Sequence, residues 1–326
     1  MRRRIAGRRN GALSLPIAGR IAVAALFTVG CGDQWEAAAR QTDVRSTRVG
    51  AIIDFHEPES VKYDAEQDVY FVTNMNGFGS VKDNNGYISR VRASNINDIQ
   101  TFVQGGTHGI TLHAPKGTAI HGDTLWVCDI DALRGFDRHG GAPLATIDFA
   151  PYGAVLLNDV AVGPDGSLHV TDTGIQMTDK GVIYSGGDKM FVVGPNHSVR
   201  VAASGAQVDK PNGITWDAAA KRWLYVSFNQ FNSRLFGFHE GDTARAVIDS
   251  GHGKWDGLEA LPDGRILFSS WTDSSVHLLS NGHDERLVRN VPAPADIGVD
   301  TRRGLVLVPL GVLSRVELWT IPDYRR

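Results

Sequence analysis

The feature that most constrains the fold is a phrase that recurs six times after residue 50. Each copy has a small or Pro residue, a polar residue, a small residue, a β-rich run, a turn and a second strand. The β-rich runs are anchored at positions 61, 118, 160, 214, 258 and 297, at spacings of 57, 42, 54, 44 and 39 residues. The mean spacing of about 47 lies within the ~40–50 residues of a four-stranded propeller blade. Six copies predict an all-β, six-bladed β-propeller.

The turns and the chain ends support this architecture. The segments Gly163–Gly166 and Leu261–Gly264 each place Pro-Asp-Gly where tight turns need a fixed φ and then a positive φ. Only 30 residues follow position 296, enough for about three strands. The β-rich segment Val49–Phe55 precedes the first copy, so we expect an N-terminal strand to close the last blade and remove an open sheet edge. Two unrelated β domains are the structural alternative.

The first thirty residues have the composition of an export signal. They contain six Arg and no Asp or Glu, and they end in the apolar run Ile21–Gly30. That run is shorter than the ~20 residues that span a bilayer. Thr28–Cys31 resembles a bacterial lipobox, which predicts lipidation at Cys31 and a location in the periplasm or cell envelope. Plain secretion is the alternative. The predicted organisation is a signal peptide over 1–30, a tether over 31–48 and the propeller over 49–326.

Removal of the signal changes the charge of the chain. The whole sequence has a formal charge of −3, whereas the part after residue 30 has 27 basic and 36 acidic side chains and a charge of −9. The near-neutral charge of the whole chain argues against nucleic acid as the main partner, because phosphate binding needs a basic face. We expect a monomer that binds a small molecule and contacts membrane only through its lipid anchor. Cys128 is expected to be a small buried strand residue.

A propeller lines its central channel with the first strand of each blade, so equivalent positions form a ring. The residue after the Pro-like position in each copy supplies this ring: Glu59, Lys116, Asn158, Asn212, Asp256 and Ala295. Carboxylate and amide oxygens are ligands for hard cations such as Ca²⁺, and the absence of His from the ring disfavours zinc. The predicted metal ligands are Glu59, Asn158, Asn212 and Asp256, with Ca²⁺ as the cofactor and another divalent cation as the alternative. Polar side chains that line a solvated channel without metal are the other explanation.

Further residues are candidates for substrate contact. The ends of the second strands should face the same mouth, which suggests Asn74, Asp129, Asp172 and Trp271; each is alternatively a turn or packing residue. His108 lies in a loop before the second blade and is a candidate substrate contact, or alternatively a packing residue. Lys116 is expected to pair with Glu59 or Asp129, or alternatively to bind an anionic substrate.

Four segments resemble the regucalcin–gluconolactonase family, six-bladed propellers distantly related to paraoxonases. They are Pro58–Val61, Leu157–Gly166, Lys210–Ile214 and Trp255–Leu258, and the resemblance covers roughly residues 50–320. It implies that Glu59, Asn212 and Asp256 hold a divalent metal, and that Asn158 matches a residue that contacts substrate in some members and metal in others. Family members hydrolyse lactones and sometimes organophosphate or other esters.

The resemblance therefore implies a calcium-dependent hydrolase of lactones or related esters. The metal would polarise the carbonyl, and Asp256 is the candidate general base, with Asn158 as the second catalytic residue. A non-enzymatic exported propeller that binds sugar, peptide or protein, with a structural metal, is the alternative. Motifs of serine hydrolases, phosphate loops and zinc proteases are absent from the sequence.

Overall fold

The computed structural model describes residues 46–242 and 245–324. The predicted signal peptide, Cys31 and the tether up to residue 45 lie outside the described residues. No helix in the described part of the chain is long and apolar enough to cross a membrane. The described residues form six four-stranded antiparallel sheets and one two-stranded hairpin, which confirms the predicted six-bladed propeller.

The 26 strands are assigned to blades in chain order, except that the first strand belongs to the last blade. Blade 1 contains β2 (Pro58–Asp64), β3 (Val69–Asn74), β4 (Tyr87–Arg92) and β5 (Ile99–Gln104). Blade 2 contains β6 (Pro115–His121), β7 (Thr124–Asp129), β8 (Ala132–Asp137) and β9 (Pro143–Asp148). Blade 3 contains β10 (Leu157–Val162), β11 (Leu168–Asp172), β14 (Lys189–Val193) and β15 (Val199–Ser204), with β12 (Ile175–Thr178) and β13 (Gly181–Tyr184) forming the hairpin.

The remaining three blades follow the same plan. Blade 4 contains β16 (Pro211–Asp217), β17 (Arg222–Ser227), β18 (Ser233–Phe238) and β19 (Ala246–Gly251). Blade 5 contains β20 (Trp255–Ala260), β21 (Ile266–Ser270), β22 (Ser275–Ser280) and β23 (His283–Arg289). Blade 6 contains β24 (Gly298–Asp300), β25 (Leu305–Leu310), β26 (Arg315–Thr320) and β1 (Arg48–Ile52). Short 3₁₀ helices occupy Ala150–Tyr152, Ala206–Val208 and Gly311–Leu313.

The hydrophobic core is divided into layers between neighbouring blades. Six clusters of buried apolar side chains each join residues of two adjacent blades. The second strand of a blade is buried on both faces, as in β3, whereas the outer strand β15 is largely exposed. Burial on both faces explains why the second strands read as continuous Val, Ile, Leu and aromatic runs rather than as an alternating pattern.

The N-terminal strand closes the propeller as predicted. β1 pairs antiparallel with β26, so the last blade combines the two ends of the described chain. Blade 6 is also joined to blade 1 by Arg303, whose guanidinium contacts Asp68 and Asp300 at 2.8 and 2.9 Å. The Tyr70 hydroxyl donates to Asp300 at 2.6 Å. These contacts, which meet at the buried carboxylate of Asp300, give the closing interface polar specificity in addition to its apolar layer.

The inner strands of blades 1 to 5 share one irregularity. In each, the pairing register shifts just after the first residue, which is typical of a β-bulge. Three of the bulges contain Gly, and a Cβ on Gly117, Gly213 or Gly257 would lie 2.3, 2.5 or 2.4 Å from atoms of the next blade. The bulges therefore bring neighbouring inner strands so close together that only a hydrogen fits.

Gly257→Ala is expected to lower the free energy of unfolding by about 2–3 kcal/mol, because the added methyl meets backbone rather than a movable side chain. Gly140→Ala is the matched control, since its Cβ would meet nothing closer than Asp137 Oδ2 at 3.9 Å, and it should change stability by less than about 0.5 kcal/mol. Urea denaturation of both variants measures the difference. Equal effects would contradict the close-packed ring.

Candidate functional site

The structure brings all six residues of the predicted ring to one cavity. The cavity has a volume of about 330 Å³ and is lined by the second residue of the inner strand in blades 1 to 5 and by Ala295, which precedes β24 in blade 6. The bulges set these positions, because the extra residue re-aims the side chain out of the regular pleat. Glu59, Lys116, Asn158, Asn212 and Asp256 are all buried, at 2–6 % exposure.

Four of these side chains present a buried oxygen that has no hydrogen-bond partner among the described residues. The four ring oxygens are Glu59 Oε2, Asn158 Oδ1, Asn212 Oδ1 and Asp256 Oδ1. Buried polar atoms are nearly always partnered in folded proteins, and leaving one unpaired costs about 1–3 kcal/mol. Four such oxygens around one cavity indicate that something outside the chain satisfies them.

The orientation of the Asn158 amide is fixed by its neighbours. Its Nδ2 donates to Thr173 Oγ1 at 3.0 Å, and that hydroxyl donates its own proton to the carbonyl of Pro211 at 2.9 Å. Because the Thr173 proton is committed to Pro211, the hydroxyl can only accept from Asn158, so the amide cannot be flipped. Asn158 therefore presents oxygen to the cavity, which suits a cation ligand and does not suit a donor to an oxyanion.

The carboxyl groups of the ring repel one another. Burial raises the pKa of Glu59 well above its ordinary value; Lys116 lowers it, while Asp256 and Asp296 raise it. Burial also raises the pKa of Asp256 to about 7, against the lowering effect of Lys116. Like Lys116, the N–H groups of Trp271 and Asn212 act against burial and lower the pKa of Asp256. Trp271 Nε1 does not reach full hydrogen-bond geometry with any described residue. A cation placed among these groups would favour their ionised forms.

The donor set fits a hard cation. It consists of two carboxylates and two amide carbonyls, the oxygen ligands that Ca²⁺ and similar ions take. The described residues contain no group of three or more His, Cys, Asp or Glu placed to hold a metal, so a zinc-type cluster is not formed there. The residues that could hold a cation are therefore the four predicted from the repeat.

Lys116 does not make the expected ion pair. Its ammonium lies 2.9 Å from Met75 Sδ, and no carboxylate of the described chain lies within 4.0 Å of it. Asp129 instead pairs with Arg134, whose Nε is 2.5 Å away. The prediction that Lys116 pairs with Glu59 or Asp129 is therefore wrong, and Lys116 acts on the ring carboxyls through a longer-range field.

The predicted substrate contacts separate into two groups. Asn74, Asp129 and Asp172 are fully buried and do not line the cavity. Their oxygens accept 2.8–3.3 Å hydrogen bonds from backbone N–H groups that precede the inner strand of their own blade. These three side chains therefore anchor strand entries, which is the turn or packing role given as the alternative. Trp271 lines the cavity, whereas His108 is exposed and lies outside its lining.

Sequence reasoning missed a layer of hydroxyl groups behind the ring. Thr171 Oγ1 accepts from the N–H of Asp159 at 3.0 Å and donates to the carbonyl of Asn212 at 2.7 Å, which links two blades. Ser269 makes the same pair of contacts between blades 5 and 6. The signal was present, because the penultimate residue of the second strand is a hydroxyl residue in several copies. Cys128 occupies this position in blade 2, where it is buried as predicted.

Comparisons with known proteins agree with the six-bladed fold. A sequence model of the family described as SMP-30/Gluconolactonase/LRE-like region matches residues 45–299. A gluconolactonase from Xanthomonas campestris superposes with a TM-score of 0.63 at 17 % identity, covering 88 % of this chain and 92 % of that one. A luciferin-regenerating enzyme superposes with a TM-score of 0.65 at 12 % identity, covering 86 % and 96 %. No curated protein sequence matches the chain.

Glu59→Gln and Asp256→Asn are each expected to weaken Ca²⁺ binding by at least about tenfold, because each removes a negative charge and one of the two carboxylate ligands. Asp296→Asn is the matched control: it removes another buried channel carboxyl, but one whose Oδ2 is already satisfied by Ser60 Oγ at 2.5 Å. Its affinity should change by a few-fold at most. Titration calorimetry measures all three, and equal losses would contradict the assignment.

Lys116→Met is expected to tighten Ca²⁺ binding several-fold at pH 9, because it removes an unpaired positive charge beside the ring carboxyls. Lys62→Met is the control, since Lys62 also faces the channel carboxyls but is neutralised by Glu259 at 2.9 Å. Calorimetric affinities that fall in Lys116→Met, or that rise equally in both variants, would show that this ammonium does not oppose the cation.

Proposed function

The chain belongs to the SMP-30/gluconolactonase/LRE-like family, and on that premise we propose that it is a hydrolase of lactones or related esters that works with a divalent cation, Ca²⁺ first. The observation that carries the proposal is the set of four ring oxygens, buried without partners around a cavity that admits a small molecule. Family membership supplies the reaction type, and the donor set supplies the choice of a hard cation.

The side chains of the ring divide the work. Glu59, Asn158, Asn212 and Asp256 would hold the cation through their unpartnered oxygens. When bound, Ca²⁺ would supply Lewis acidity that stabilises negative charge on the carbonyl oxygen of the substrate. Lys116 lowers the pKa of Glu59 and Asp256 and so helps to keep both carboxyls ionised.

Asp256 is the proposed general base. It lines the cavity and has two carboxyl oxygens, so one can serve the cation while the other faces an attacking water. The carboxylate accepts a proton from water as the water oxygen bonds to the carbonyl carbon. It then donates that proton to the endocyclic oxygen of the lactone as the bond between this oxygen and the carbonyl carbon breaks. The product is a hydroxy acid, with all atoms of water and lactone retained.

The cellular setting is a separate proposal that rests on the sequence before the propeller. The basic start, the apolar run and Cys31 support export to the periplasm or cell envelope with a lipid anchor at that cysteine. The anchor would be the only membrane contact of a monomeric domain. It would leave the cavity accessible to small molecules that enter the envelope.

A second function is a non-enzymatic binder with a structural cation. The observation that favours it is the exposure of apolar side chains in the cavity lining, such as Phe78 and Val312 at 52 and 67 %. Such side chains are also found around ligand entrances. The test below separates the two functions, since a binder would retain the cation without turnover.

Hydrolysis of a panel of small lactones and esters is expected in the presence of Ca²⁺, with a loss of at least about 100-fold on chelation that is reversed by added Ca²⁺. Asp256→Asn should lower kcat by a similar factor, whereas Asp296→Asn should retain most activity. Acid release followed by a pH indicator measures both. Tight Ca²⁺ binding without hydrolysis of any member of the panel would favour the binder.

A further inference from the structure

The upper wall of the cavity is apolar. Above the polar ring, the lining side chains include Phe78, Ile175, Met177, Val182, Phe228 and Val312. They come from the loop 75–86 in blade 1, the hairpin β12–β13 in blade 3, and the connections after β17 and β25. The wall is therefore assembled from several separate connections at the same end of the propeller.

Two of these connections are tied to each other across blade 2. The Ser80 N–H donates to the carbonyl of Met177 at 3.1 Å, and the Met177 N–H donates to Ser80 Oγ at 2.8 Å. Between them, Gly79 lies so close to the ring that a Cβ there would be 2.9 Å from Lys116 Nζ. The hydrogen bonds hold the wall in one arrangement over the ring, so its apolar surface is part of the built cavity.

Two polar side chains above the ring, Glu57 and Thr178, already make hydrogen bonds with neighbouring backbone. Glu57 Oε2 accepts from the Gly77 N–H at 2.6 Å. Thr178 Oγ1 donates to the carbonyl of Gly181 at 3.4 Å and accepts from the Lys180 N–H at 3.2 Å. The Glu57 contact joins the segment before β2 to the loop 75–86, and the Thr178 contacts lie within the hairpin β12–β13. Among the described lining residues, the buried side-chain atoms without a hydrogen-bond partner are the four ring oxygens and Trp271 Nε1.

We propose that the substrate carries an apolar alkyl or aryl group, which packs on this wall while its carbonyl faces the ring; the proposal rests on the hydrolase function above. A lactone with several hydroxyl groups would turn those hydroxyls toward apolar side chains that cannot bond them, at about 1–3 kcal/mol each. A cavity of about 330 Å³ is near the lower end for small-molecule sites and suits a single ring with a short tail.

The substrate class is tested with γ-lactones whose unbranched tails lengthen from methyl to pentyl, compared with gluconolactone. For the wild-type protein, kcat/KM is expected to rise roughly threefold per methylene until the cavity is full. The value of kcat/KM for gluconolactone should be at least about 100-fold lower than that for the best alkyl lactone of the series. Val182→Ser should flatten the dependence on tail length.

Val247→Ser is the matched control. Val247 is 53 % exposed on β19, Val182 is 63 % exposed on β13, and only Val182 lines the cavity. The control should keep the dependence on tail length seen in the wild-type protein. Urea denaturation of both variants, with midpoints close to that of wild type, establishes that neither change acts through folding.

Binding of alkyl cyclopentanones, which lack the scissile bond, separates this proposal from the function beneath it. Calorimetric affinity that rises with tail length and falls in Val182→Ser supports the apolar site, whether or not any lactone is hydrolysed. Absence of hydrolysis for every lactone overturns the hydrolase function and not the apolar site. Gluconolactone hydrolysed faster than every alkyl lactone overturns the substrate class and leaves the hydrolase standing. The apolar site is also overturned if neither the affinity nor kcat/KM changes with tail length.

Discussion

Close approach of the inner strands around one channel is the constraint on which the rest of the structure depends. A bulge lies at the same position in five blades, and in three of them it contains Gly. At these glycines the next blade is so close that there is room for a hydrogen atom but not for a Cβ. The same bulges aim the preceding side chains into the channel. The bulges therefore set both the packing of the inner strands and the direction of the ring side chains.

This geometry concentrates unfavourable electrostatics in one place. Two ring carboxyls and two amide oxygens are buried without partners, and burial raises the pKa of both Glu59 and Asp256. Such a cluster lowers the stability of the empty protein, and a cation that bound it would return that stability by mass action. The cost is consistent with a site kept for function, since a structural channel would be more stable with partnered or apolar side chains.

Repeat spacing predicted the fold, the closing strand and the ring, because each follows from counting residues in equivalent copies. It did not predict what Asp129 and Asp172 do, since a carboxylate at a strand end gives no indication of whether it faces a ligand or a backbone N–H. Nor did it predict the apolar wall. The signal was the excess length of copies one and three, at 57 and 54 residues, which forms the loop 75–86 and the hairpin β12–β13. Length shows that an insertion exists, but three-dimensional packing decides where it lies.

The central claim is that the four ring oxygens are completed by a cation, and crystallography of the purified protein grown with Mn²⁺ as an anomalous stand-in for Ca²⁺ tests it most directly. The account predicts one anomalous peak in the channel, bound by Glu59 Oε2, Asn158 Oδ1, Asn212 Oδ1 and Asp256 Oδ1. Ordered waters that satisfy these oxygens, with no anomalous peak among them, would contradict it.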